Sequence, residues 1–249
     1  MMKAYTHTLT FKAKYCDVDF KDELKASEYL AVLEEVACSS AEELNLGDAF
    51  LKPRNYGFIV SATRCRFERP IRLGETFHAR TWPLVPSFAA FERQYQVLGE
   101  NGEVAVNAAS RWCLIDLKSG RLLSSKVVDN QDYSTYNTAR ALEVENWKIA
   151  KFDLSEGELR FKMTVANSEY DHYMHVNNTR YADYCFNCFS VEELSKAKLK
   201  EFAIVYVRQC REGDELFFYR KPLGNGEFLV QGVNGTGEVV ASAEIRFDE

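Results

Sequence analysis

The sequence repeats itself. Cys38-Ser-Ser-Ala-Glu-Glu-Leu44 returns as Cys188-Phe-Ser-Val-Glu-Glu-Leu194, 150 residues later. Arg69, Gly74, Glu75 and Pro83 return as Arg208, Gly213, Asp214 and Pro222 at an offset of 139, and Gly102-Glu-Val104 returns as Gly237-Glu-Val239 at 135. Each match is short, but their order is shared, and the shrinking offset means that the second copy has the shorter connections. A duplication constrains the fold strongly, because both copies must bury the same faces. It divides the chain into an N-terminal unit, 1–120, and a C-terminal unit, 158–249. The stretch between them, 121–157, is polar (Ser124-Ser-Lys126, Asp129-Asn-Gln-Asp132), lacks helical periodicity and reads as a linker.

Both copies have the same local grammar. A Ser or Thr precedes a helical stretch. After Ser27, the apolar Leu30, Leu33, Val36, Ala37 and Leu44 share one face; after Thr179 the set is Tyr181, Tyr184, Cys185 and Cys188. Ser190 with Glu193 reads as a capping box that restarts a short helix. Strands follow. Val239, Ala241, Ala243, Ile245 and Phe247 alternate with Val240, Ser242, Glu244 and Arg246, and Val104 to Leu114 is the counterpart in the first copy. Asn101-Gly102, Asn225-Gly226 and Asn234-Gly235 lie between apolar runs and predict type I′ hairpin turns. Each copy is therefore strand, helix and antiparallel meander, and the helix can bury its apolar face only on the sheet. The expected class is α+β: two tandem hot-dog units, each an antiparallel sheet wrapped around a central helix, paired as a pseudo-dimer within one chain.

Composition removes several function classes. With 31 basic against 37 acidic residues the net charge is −6, opposite to the basic excess of a nucleic-acid binder. No apolar run is long enough for a membrane span, and the opening Met1-Met-Lys-Ala4 has no signal-peptide core, so a cytoplasmic protein is expected. Seven scattered cysteines do not form a disulfide framework. Cys185-Phe-Asn-Cys188 is a lone pair without further metal ligands at matched spacing, so no metal is expected and the thiols read as buried helix positions.

Two of the four histidines, His172 and His175, fall between Ser168 and Tyr181, just before the second helix. Polar groups there lie beside the helix's unpaired N–H groups, which can hold a carbonyl oxygen or an oxyanion. Asp171 is placed to orient the His175 imidazole, and Asn177 and Asn178 either cap the helix or bind a substrate carbonyl. The alternative is that the aspartate and asparagines are only turn and cap residues. In the first copy, Asp171 is matched by Asp19, but Tyr173, His175 and Asn177 are matched by Lys21, Glu23 and Lys25. Gln209 and Cys210 are matched by Pro70 and Ile71. An active site therefore belongs to the second unit, and the first supplies wall and pocket.

Asp171-x-Tyr-x-His-Val-Asn-Asn178, followed by Gln209-Cys210 and Gly213-Asp214, resembles the acyl-ACP (acyl carrier protein) thioesterases of plants and bacteria, over nearly the whole chain. The resemblance implies hydrolysis of fatty acyl-ACP to a free fatty acid, without cofactor, in bacterial fatty-acid synthesis. It carries catalytic roles onto Asp171, His175 and Cys210. Two positions depart: the family's Asn is Tyr173 here and its Glu is Gln209, whose amide cannot act as a base. Water activation would then fall to His175 or Asp171, while a covalent route would need a Cys210 thiolate activated by His175. The partner implied is acyl carrier protein, with docking candidates Arg64, Arg66, Arg69, Arg208 and Arg211, which otherwise read as solvated surface. Acyl-CoA hydrolysis and a non-catalytic acyl-thioester sensor are the alternatives. The chain would act as a monomer, itself a pseudo-dimer, or as a homodimer.

Overall fold

The computed structural model describes residues 4–128, 130–171 and 174–248. The first repeat forms β1 (His7–Lys12), α1 (Ala26–Glu43), a one-turn α2 (Asp48–Leu51), β2 (Tyr56–Phe67), β3 (Thr76–Pro83), β4 (Ala90–Gly99) and β5 (Val104–Asp116). The second forms β6 (Glu158–Thr164), α3 (Asn178–Phe186), α4 (Val191–Lys196), β7 (Lys198–Tyr206), β8 (Glu215–Gly224), β9 (Glu227–Asn234) and β10 (Val239–Asp248). All strands join one antiparallel sheet in the order β1-β3-β4-β5-β2-β7-β10-β9-β8-β6. Read from either edge the order is the same, because β2 and β7 are equivalent strands paired with each other, Thr63 opposite Ile204 and Arg64 opposite Ala203. Two hot-dog units thus share one sheet, as the repeat predicts.

The duplication extends to irregularities. The ladders of β4–β5 and β9–β10 both slip by one residue, at Ala105 and Val240. Each bulged carbonyl then accepts two N–H groups, from Glu68 and Arg69 in one unit and from Val207 and Arg208 in the other. Equivalent bulges at equivalent bonds confirm the 135 and 139 offsets read from the sequence.

α1 buries Tyr29, Leu30, Leu33, Val36, Ala37 and Ser40, one face at helical spacing, against the sheet and α3. Its first turn differs from the expected cap: Lys25 is the N-cap, without a side-chain bond, and Ser27 is buried inside the helix. In the second unit Asn177, not a Ser or Thr, is the N-cap of α3, and the Ser190–Glu193 capping box opens α4. Of the three Asn-Gly pairs, only Asn225-Gly226 has both residues at positive φ, as a type I′ turn requires. At the other two hairpins a single glycine, Gly102 or its equivalent Gly237, takes the left-handed conformation after an ordinary turn.

The two concave faces are filled differently. In the second unit Phe189 packs edge-on against Phe228 and Phe247, at ring centroids of 5.1 and 5.3 Å, and Phe186 meets Phe202 at 5.4 Å. At the equivalent positions of the first unit, Phe202 is replaced by Thr63 and Phe247 by Trp112. Both replacements bring a polar group to that face, the Thr63 hydroxyl and the Trp112 indole N–H. Among its described residues the connection 121–157 forms no strand or α-helix, yet it packs closely: Ile149 and Phe152 cover Ala203 and Leu229, and the Trp82 indole donates to the Ala139 carbonyl at 2.8 Å. No described helix is long and apolar enough to cross a membrane.

Candidate active site

The segment leading into α3 is a tight loop closed by its own backbone. Asp171 N–H donates to the His175 carbonyl at 2.8 Å, Met174 N–H to the Asp171 carbonyl at 3.1 Å, and Tyr170 bridges Val176. Asp171 Oδ1 accepts the His175 N–H at 3.1 Å. The first unit builds the same loop from different residues. Asp19 N–H donates to the Glu23 carbonyl, Asp19 Oδ1 accepts the Glu23 N–H, and Val18 bridges Leu24. Asp22 and Met174 occupy the same left-handed position, at φ 59° and 61°. Asp171 recurs because the turn needs a carboxylate acceptor; His175 does not recur, so the turn does not need it. That leaves a half-buried imidazole whose presence the loop geometry does not explain.

Glu169 anchors the loop to the helix behind it. Its carbonyl accepts the Asn177 N–H at 2.9 Å, and its carboxylate takes Arg180 Nε at 3.0 Å and the Tyr184 hydroxyl. Asn177 Oδ1 accepts both the N–H and the hydroxyl of Thr179, at 2.8 and 2.7 Å, so Asn177 is a capping residue. Asn178 instead lines the crevice described below. Tyr173 and His172 lie outside the described residues.

Cys210 sits elsewhere in this network. It is 2% exposed, and its backbone N–H and thiol both meet the Tyr181 hydroxyl. Burial pushes the thiol above its ordinary pKa, which disfavours a thiolate. The first unit has the same bond: Ile71 N–H donates to the Tyr29 hydroxyl at 2.7 Å. Tyr29 and Tyr181 are repeat equivalents, as are Ile71 and Cys210, so this contact holds the loop after β2 or β7 whether or not a thiol is present. The hydrogen bonds among the described residues do not join His175 to Cys210. Gln209, next to it, is exposed. Removing either tyrosine hydroxyl strands a buried N–H, so Tyr29→Phe and Tyr181→Phe are each expected to cost about 1–3 kcal/mol in urea unfolding.

Between the units lies a narrow crevice. Leu30, Leu33 and Glu34 of α1 form one side, and Val60, Thr63, Tyr95, Ser110 and Trp112 of the first sheet form another. Asn178 and Thr179 at the start of α3, with Tyr206 of β7, close it from the second unit. Ser110 Oγ accepts the Trp112 indole N–H at 2.6 Å and is hydrogen-bonded to the Tyr95 hydroxyl at 2.6 Å. The first unit thus supplies the walls and the second an N-terminal helix turn. Glu34, Val60, Thr63, Tyr95 and Tyr206 are lining residues that the sequence does not single out. The signal available for Glu34 was a carboxylate at the edge of the α1 apolar stripe, four residues after Leu30 and three before Ala37.

The arginines singled out in the sequence are mostly compensated. Arg64 pairs with Glu244 at 2.9 Å, Arg66 with Glu68 at 3.4 Å, and Arg208 with Glu238 at 2.8 Å. Arg69 pairs with both Glu75 and Glu103, at 2.6 and 2.5 Å. Arg211 is exposed, and its backbone N–H is taken by Asp214. No cluster of His, Cys, Asp and Glu able to hold a metal occurs among the described residues.

This architecture has known counterparts. An acyl-ACP thioesterase from Bacteroides thetaiotaomicron superimposes with a TM-score of 0.89 over 98% of both chains, at 23% identity. A 12:0-ACP thioesterase from Umbellularia californica does so with a TM-score of 0.87, over 97% of this chain and 96% of that one, at 19% identity. In sequence, a chloroplastic acyl-[acyl-carrier-protein] hydrolase of Cuphea viscosissima is 25% identical over 168 residues, covering 66% of this chain and 40% of the relative. A chloroplastic palmitoyl-acyl carrier protein thioesterase of Arabidopsis thaliana is 23% identical over 188 residues, 72% of this chain and 46% of the relative. The chain thus spans less than half the length of these relatives. The acyl-ACP thioesterase N-terminal domain matches residues 4–130 and the C-terminal domain residues 154–249, so the chain belongs to the acyl-ACP thioesterase family.

Proposed function

We propose that the protein hydrolyses the thioester of fatty acyl-ACP, releasing the fatty acid and ending chain elongation. The observation that carries this reading is the crevice itself: apolar walls from the first unit meet the start of α3, where a thioester carbonyl can find donors. The first N–H groups of a helix need partners from outside its own turns; Asn177 takes that of Thr179 with its side chain, at 2.8 Å, and that of Arg180 with its carbonyl, at 3.0 Å, so the Asn178 N–H is the donor this reading gives to a thioester carbonyl. The acyl chain lies along Leu30, Leu33, Val60 and Trp112, the carbonyl points at Asn178, and His175, in the loop leading into α3, serves the carbonyl oxygen. Asp171 serves by holding the His175 backbone. The units divide the labour, 1–120 for the acyl pocket and 158–249 for the groups that hold the thioester carbonyl. Arg211 and Arg208, beside the Cys210 loop, are the carrier contacts this arrangement favours. The reaction runs in the cytoplasm and needs no cofactor.

Release of free thiol from an acyl-ACP ladder, octanoyl to stearoyl, and from the matching acyl-CoAs tests the reading. Turnover on ACP substrates above that on CoA substrates is expected. Turnover on CoA alone would make the protein an acyl-CoA thioesterase, and binding without turnover would make it a sensor. The burial of Cys210 and its bond to Tyr181 support a water mechanism. Cys210→Ser is therefore expected to keep turnover within about fivefold of wild type, whereas a loss of the size attached to an essential nucleophile would restore the covalent route.

A further inference from the structure

Hydrolysis needs a group that takes a proton from the attacking water. Gln209 is an exposed amide, the Cys210 thiol is held in its uncharged form, and the described carboxylate contact of Asp171 is spent on the loop backbone. Among the described residues lining the crevice there is one carboxylate, Glu34. It lies in the middle of α1 and lines the crevice together with Leu30 and Leu33 of its own helix and with Asn178 and Thr179 of α3. Its charge is felt by the Tyr206 hydroxyl on the second-unit wall, which supports a position between the units. A carboxylate on an apolar wall opposite a helix N-terminus is the arrangement that water attack on a bound carbonyl requires: acceptor on one side, donors on the other.

Resting on the hydrolase reading, we infer that Glu34 is the catalytic base that takes the proton of the attacking water, supplied across the pseudo-dimer by the first unit to a thioester held at the start of α3. The water oxygen bonds to the carbonyl carbon as its proton passes to the Glu34 carboxylate, leaving an oxyanion at the α3 start. When the oxyanion collapses, the carbon–sulfur bond breaks with its electron pair on sulfur. Sulfur takes the proton back from Glu34, and the carboxylate is regenerated. Nothing besides water is consumed. His175, in the loop leading into α3, is then left for the carbonyl oxygen.

The test compares wild type, Glu34→Gln and Glu34→Ala on lauroyl-ACP and palmitoyl-ACP, with near-UV circular dichroism to verify folding. Glu34→Gln keeps the size of the side chain but cannot accept the proton. It is expected to lower kcat about 100-fold or more, while KM stays within a few-fold. Glu34→Ala leaves a gap, and added formate is expected to restore part of its turnover, which a merely structural glutamate would not permit. A Glu34→Gln enzyme within about threefold of wild-type kcat, or a folded, inactive Glu34→Ala enzyme that formate leaves unrescued, overturns the assignment. Wild type without turnover on any ACP or CoA thioester instead removes the hydrolase reading, and the assignment with it.

Discussion

His175→Ala is expected to abolish most turnover on acyl-ACP, with a kcat loss on the order of 10²–10⁴ and little change in stability. The argument rests on the duplicated loop. Its turn is made by backbone bonds and by the carboxylate of Asp171 or Asp19, and the first unit completes it with Glu23 in place of the histidine. The imidazole contributes nothing that the turn depends on, so its removal should be nearly silent in thermal unfolding. Asp171 gives the contrast. Asp171→Asn preserves an acceptor for the His175 N–H and should retain more activity than Asp171→Ala, which frees the loop. Equal and small losses for His175→Ala and Asp171→Ala would sink the assignment of His175 to the chemistry.

Phe202→Ala is the substitution expected to cost most in stability, about 3–5 kcal/mol. Phe202 is 1% exposed in β7, beside the joint between the units, and packs edge-on against Phe186. Truncation leaves a cavity that the ring cluster around Phe189, Phe228 and Phe247 cannot close without losing its own contacts. The loss is read as a shift of the urea midpoint at constant slope. Because the cluster fills the second unit rather than the crevice, the folded variant should keep its acyl-chain preference below the melting temperature. A change of less than about 1 kcal/mol would show that the cluster tolerates a hole and does not fill the second unit tightly.

The two experiments separate what the duplication preserved from what it altered. Preserved are the bulges at Ala105 and Val240, the loops at Asp19 and Asp171, and the tyrosine bonds to Ile71 and Cys210. These are conditions for folding either copy. Altered are Glu23 to His175 and Lys25 to Asn177, which equip one helix start, and Thr63 to Phe202 and Trp112 to Phe247, which make one concave face all phenyl. Cys210 belongs with the first group. Its thiol stands where the other unit has isoleucine, and its surroundings are those of a packed loop after β7.

Much of this was legible without coordinates, because repeats, helical and alternating periods, and the Ser190–Glu193 box are local patterns with local physical causes. The palindromic sheet follows from the duplication itself, since two equivalent units that pair through equivalent strands must be related by a two-fold. Turn type was less legible: Asn-Gly permits two positive φ angles but does not demand them, and the bulged hairpins at Gly102 and Gly237 need only one. The arginines could not be judged from their alternation alone, because Glu244 for Arg64, Glu103 for Arg69 and Glu238 for Arg208 come from distant strands and loops. Most of all, the sequence by itself determined that one unit carries the polar loop, whereas only the tertiary structure decided what faces it. Glu34 and Asn178 are brought to one crevice by the pairing of β2 with β7 and the packing of α1 on α3, and no pattern within either segment records that meeting.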